Sequence, residues 1–146
     1  MEKHMIKIDE KTIQAILNIK VIIDKGIEAG EYVPYPKFVD NLFKYMETPA
    51  ASFHHATTGI SGEAGELLDA SKKVWVYGQD FAIDNVLEEL GDIRYYYQQC
   101  LNMLGLLDED IQAINIRKLT KRYPEGMYTD EYAALRLDKK ENQEKP

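Results

Sequence analysis

Four carboxylates are the residues of this chain best placed to do chemistry. Glu63 and Glu66 lie three apart in Gly62-Glu63-Ala64-Gly65-Glu66-Leu67, and Glu89 and Asp92 lie three apart in Glu88-Glu89-Leu90-Gly91-Asp92. On a helix, residues at i and i+3 share a face, so each pair forms a small acidic patch. The two pairs sit symmetrically about Tyr77-Gly78. An antiparallel helical hairpin turning there brings both pairs to the same height. Converging carboxylates in a partly desolvated place must take up protons or a cation. An all-oxygen donor set suits a hard ion, Mg²⁺ or alternatively Mn²⁺. Mg²⁺ keeps several waters and takes further ligands from substrate phosphates, so the pattern points to phosphate chemistry. The competing reading is a solvated helix face, where i, i+3 acidic pairs arise by chance. Two pairs symmetric about a turn weigh against it, as do Gly59, Gly62, Gly65 and Gly91 beside them. A glycine inside a helix costs ~1 kcal/mol relative to alanine, and such glycines mark either tight packing or close approach of a ligand.

The elements that must position these groups are helical. Apolar spacing near period 3.6 over Ile13, Ile16, Leu17, Ile19 and Ile23 predicts a first helix from about Asp9 to Glu28, with Asp9 as its cap and Gly30 beyond its end. Tyr32-Val33-Pro34-Tyr35-Pro36 reads as an extended linker. A shorter helix over Lys37–Glu47 would turn Phe38, Leu42, Phe43 and Met46 inward. Thr48-Pro49 opens a long helix to Tyr77, with the turn at Gly78-Gln79-Asp80. The returning helix covers about Phe81 to Met103 and stops at Gly105. Asp108 caps another, ending at Tyr123-Pro124-Glu125-Gly126, and a last short helix covers Thr129 to Leu137. Tyr95-Tyr96-Tyr97 favours strands in isolation but lies within helical spacing. The fold class is therefore all-α: a four- to five-helix bundle built on a central antiparallel hairpin. Residues 1–47 read as a helical extension and linker, 48–138 as the domain that carries the acidic pairs, and 139–146 as a frayed or disordered tail.

Composition narrows the function classes. The 146 residues fit one domain able to bury a sizeable core. A net charge of −7 disfavours a general nucleic-acid binder, which needs a basic face. The single cysteine, Cys100, excludes an internal disulfide and a cysteine-based zinc cluster, and makes a reducing, cytoplasmic setting the simplest reading. No apolar run reaches the ~20 residues that span a bilayer. Residues 1–5 show no signal-peptide pattern.

Taken in order, three blocks carry a family resemblance. Glu63-Ala64-Gly65-Glu66, then Glu89-Leu90-Gly91-Asp92, resembles the ExxE…ExxD signature of MazG-like nucleoside triphosphate pyrophosphohydrolases. Asn115-Ile116-Arg117-Lys118-Leu119-Thr120-Lys121-Arg122-Tyr123-Pro124-Glu125-Gly126 is similar to that family's N-x-x-K-L-x-x-R-Y-P-x-G block, and Ala134-Leu135-Arg136-Leu137-Asp138 to its ending. The resemblance covers about Ala51 to Asp138. It leaves the first ~45 residues as either a decoration or an oligomer contact. It implies an all-α enzyme, working as a homodimer or homotetramer. Its activity would be Mg²⁺-dependent cleavage of a nucleoside triphosphate between the α- and β-phosphates, with Glu63, Glu66, Glu89 and Asp92 as metal ligands.

Several residues then divide between substrate contact and structure. Glu63 or Glu66 is the candidate proton acceptor, with Glu88 a weaker one. Asn115, Lys118 and Arg122, spaced three and four apart, share a helix face whose donors suit phosphate oxygens; the alternative is a solvated basic helix end. Lys73, seven residues after Glu66, is a further phosphate candidate. Tyr96, four after Asp92, either stacks on a base or packs in the core. Trp75 lies off the carboxylate face and reads as core or oligomer interface. His55 lies ~12 Å along the helix from Glu63, too far to share its metal. His54 and Cys100 read as structural. A di-iron bundle would need Glu-x-x-His, which neither pair supplies. A non-catalytic acidic module that binds a partner protein, and a pyrophosphohydrolase of phosphoribosyl-ATP or another modified nucleotide, remain as alternatives.

Overall fold

The computed structural model describes residues 5–140, and every regular element among them is helical. In chain order these are α1 (Glu10–Glu28), α2 (Tyr35–Leu42), α3 (Pro49–Tyr77), α4 (Ile83–Leu104), α5 (Asp108–Arg122), α6 (Asp130–Leu135) and α7 (Leu137–Lys140). Among the described residues no helix is long and apolar enough to cross a membrane. The chain divides into two compact units, Met1–Met103 and Leu104–Pro146.

In the first unit, local chemistry sets the helix ends. Asp9 accepts the Thr12 backbone N–H at 2.9 Å and its hydroxyl at 2.7 Å, capping α1. Thr48 accepts the Ala51 N–H at 3.1 Å, and Pro49 occupies the first turn of α3, where its missing N–H is not needed. Gly78 closes α3 in the left-handed region at φ 64°, and its N–H returns to Val74. The chain then reverses into α4. Ala56 shares a core with Cys100, Gly59 faces the Tyr96 ring, and Glu63 meets Glu89 and Asp92. As numbers rise along α3 the facing numbers fall along α4, so the two helices run antiparallel.

The core of this unit gathers Phe43, Ala56 and Cys100, with Ile60, Tyr95, Tyr96 and Met103 packed on it. A polar clamp ties α2 and the segment after it to α4. The Gln99 amide, fully buried, donates to the Tyr45 hydroxyl at 2.8 Å; that hydroxyl donates to Asp40, and Asn102 donates to the Pro36 carbonyl at 2.8 Å. The buried Gln99 amide left alone there would cost ~1–3 kcal/mol, which favours this one arrangement.

Two expected faces are corrected. α2 spans Tyr35–Leu42 rather than Lys37–Glu47, and it turns Val39 inward, with Phe43 following four residues on. Phe38, Leu42 and Met46 stay exposed. The apolar stripe of α1 also faces outward, and Gly26 is the one buried residue of that helix.

In the second unit the N-cap of α5 is Leu107 rather than Asp108. Asp110, not Asp108, accepts the Leu107 N–H at 2.8 Å. The last helical stretch breaks at Arg136, which sits at φ 49°, and divides into α6 and α7. The segment expected to fray, 139–146, thus begins as helix at Lys139 and Lys140, while 141–146 lie outside the described residues.

Candidate metal centre

The hairpin brings three of the four carboxylates together. Glu63 from α3 and Glu89 and Asp92 from α4 each offer an oxygen, and the three oxygens lie within 4.8 Å of one another. Glu89 is buried, at 5% exposure; Glu63 is half-buried and Asp92 exposed. Burial pushes the Glu63 carboxyl above its ordinary range, and the charges of Glu66, Asp92 and Glu89 push it further. Glu66 lies outside the close group. It lines an adjoining cleft of about 400 Å³ with Gly62, Gly65, Asp69, Lys73, Asn85 and Glu89.

Two cleft residues carry no weight in the sequence pattern. Asn85 donates its amide to Glu89 Oε1 at 2.7 Å, one helical turn before it. Asp69 holds Lys73 Nζ at 2.8 Å. Both are i, i+4 pairs, so the signal was present as spacing. It became legible only once Glu89 was known to be buried. Lys73 therefore stands in the cleft with an acidic partner.

Tyr96 packs its ring against Gly59, where any added side chain would collide, and meets Tyr95 edge-on at 5.1 Å between centroids. By contrast, Gly62, Gly65 and Gly91 have open space where a side chain would stand. His55 stacks on Phe43 at 5.0 Å, and its Nδ1 lies 3.1 Å from the Lys44 carbonyl oxygen. Trp75 is not core in this chain, at 89% exposure. Asn115 and Lys118 are exposed on α5, in the second unit. Arg122 grips Asp138 through two bonds of 2.8 and 2.7 Å, and this fork holds the Asp138 carboxyl down at about 2.

The "Gene 37 protein" of Mycobacterium phage L5 is 32% identical over 78 residues, which are 50% of this chain and 68% of the phage protein. The chain belongs to the family of that phage protein. The name of that protein specifies no reaction. No protein-family model matches the chain, and no solved structure matches it.

The donor chemistry fits a hard divalent cation. Three carboxylates on two helices crowd one point, one of them buried, and Glu63 is driven toward protonation by burial and then by its neighbours' charge. A divalent ion would offset two of those three charges, where a proton offsets one.

Proposed function

We propose that this protein is a Mg²⁺-dependent nucleoside triphosphate pyrophosphohydrolase, hydrolysing the α–β phosphate bond to give a monophosphate and pyrophosphate. The observation that supports it is the convergence of Glu63, Glu89 and Asp92 oxygens within 4.8 Å, beside an open cleft. In this reading Glu63, Glu89 and Asp92 hold the cation and Glu66 completes the set from the cleft side. The bound ion would neutralise phosphate charge and acidify a water. Glu63 or Glu66 accepts that water's proton. Lys73 supplies phosphate charge by trading Asp69 for the substrate. Open space at Gly62 and Gly65 lets the phosphate chain lie against the α3 backbone. The wider architecture we propose is a helical bundle completed by self-association, as a dimer or tetramer.

A panel of nucleoside and deoxynucleoside triphosphates with Mg²⁺, scored for pyrophosphate against phosphate, tests this directly. Pyrophosphate and monophosphate should appear in equal amounts. Glu89→Gln and Asp92→Asn should each remove the activity, since a lost ligand removes charge stabilisation at the phosphates. Phosphate release instead, or full activity in either variant, overturns the assignment. An acidic module that binds only a partner protein would show neither turnover nor stabilisation by Mg²⁺ and nucleotide.

A further inference from the structure

We propose that α1 is a self-association helix, pairing antiparallel with α1 of a second copy of this chain. At 100° per residue, Ala15, Ile16, Ile19, Ile22, Ile23 and Ile27 fall on one continuous arc, flanked by Ile13 and Leu17. Such an arc normally lies on a core. Here the large side chains of the arc and its flank stand 38–58% exposed, Ile27 aside. In proteins most of a helix's stability comes from packing its apolar face, so the face of α1 needs cover.

Part of the receiving surface is already built at the far end of α1. The Glu31 and Tyr32 N–H groups both donate to the Gly26 carbonyl, at 2.8 and 3.0 Å, so the chain folds back sharply. The Tyr32 ring then lies where a side chain at position 26 would stand, which only glycine allows. This fixes one wall of an apolar pocket of about 280 Å³, closed by Ile23, Ile27, Val33, Tyr35 and Phe38. A partner helix running the opposite way lays its Ile13–Leu17 end over this pocket. The two-fold axis repeats the contact on the other copy.

Charge and area select the occupant. Lys11, Lys20 and Lys25 balance Glu10, Asp24 and Glu28, so α1 is neutral within a chain of net charge −7. An anionic membrane surface calls for a basic polar face, which α1 lacks. Antiparallel pairing sets the Glu10-Lys11 end beside the Asp24-Lys25 end of the other copy, so Glu10 comes near Lys25 and Asp24 near Lys11. At ~150–200 Å² for each large apolar residue when fully exposed, the exposed parts of the face and pocket walls sum to roughly 700 Å² per protomer. That is close to the ~800 Å² per partner of a stable interface. The pairing does not depend on the metal reading.

Sedimentation equilibrium on the full chain at about 50 μM should give an assembly, and Ile19→Glu with Ile23→Glu should halve its mass, with any loss of helix content by circular dichroism confined to the 19 residues of α1. Cys100 is buried, so an added thiol is the accessible one. Under mild oxidation Ile19→Cys should give a covalent dimer, while Asn18→Cys, on the polar face, should not. A monomeric wild type overturns the proposal, whether α1 is then covered within one chain or binds vesicles of zwitterionic and anionic lipid. Undiminished mass in the double glutamate variant, or equal cross-linking at both cysteine positions, overturns it as well.

Discussion

Replacing Glu89 by glutamine should make the metal-free protein more stable while abolishing its response to Mg²⁺. The three carboxylate oxygens lie within 4.8 Å of one another. At that distance and an effective dielectric of ~20, two unit charges repel by about 3.5 kcal/mol. The cluster can limit this by taking a proton. From the ordinary carboxylate value of 4.5, protonation at pH 7 costs about 3.4 kcal/mol, at 1.36 kcal/mol per pH unit. One proton leaves a single repelling pair, as the variant also has, so the repulsion that Glu89 adds at pH 7 is capped near ~3 kcal/mol. Glu89→Gln removes two of the three repelling pairs and keeps an oxygen for the Asn85 amide. Weakening that bond from charge-assisted to neutral loses about 1 kcal/mol, leaving a net gain of roughly 1–2 kcal/mol, or about 3–8 °C in melting temperature. The sign with pH follows from Glu63, whose folded pKa is raised. Its contribution is fully present below the ordinary range and is lost as pH rises through the raised value. The advantage of Glu89→Gln should thus nearly vanish at pH 5, where protonation costs only ~0.7 kcal/mol. Wild-type protein should gain about 2.7 kcal/mol at Mg²⁺ one hundredfold above Kd, and the variant should gain little. Scanning calorimetry at pH 5 and 7, with and without Mg²⁺, reads all four quantities. A metal-free variant no more stable than wild type at pH 7 would refute the crowding argument. An undiminished Mg²⁺ shift would refute Glu89 as a ligand.

Asn85→Leu, close in shape but without a donor, should weaken Mn²⁺ binding about tenfold by electron paramagnetic resonance, because the amide fixes Glu89; Asn85→Gln should recover part of it. Gly59→Ala should lower stability by about 1–2 kcal/mol in urea melts, since the new methyl meets the Tyr96 ring. Gly62→Ala has open space and should raise stability by up to ~1 kcal/mol, and it should lower turnover if phosphate lies against that backbone. In the second unit, Arg122 stabilises the Asp138 carboxylate, so that contribution is present above the ordinary carboxylate range and is lost as pH falls toward about 2. Arg122→Ala should remove this acid sensitivity, as read by amide exchange in α5 and α7.

The sequence by itself determined the features that depend on neighbours in the chain. Asp9, Thr48-Pro49 and Gly78 set the ends of α1 and α3 through capping bonds within three or four residues and through backbone freedom, and these need no tertiary context. The symmetry of the two acidic pairs about Tyr77-Gly78 likewise carried the meeting of Glu63 with Glu89 and Asp92, because equal rise along both arms of a hairpin fixes their height. Tertiary structure alone decided the rotation of each helix about its axis. That rotation leaves Glu66 in the adjoining cleft, buries Glu89 against Asn85, and turns Tyr96 onto Gly59. It also places Val39 and Phe43 inward where Phe38 and Leu42 had equal hydrophobic claim, and leaves the stripe of α1 uncovered. Periodicity shows that a helix has an apolar face, but what covers that face depends on chain elsewhere or on another molecule, so no local pattern encodes it.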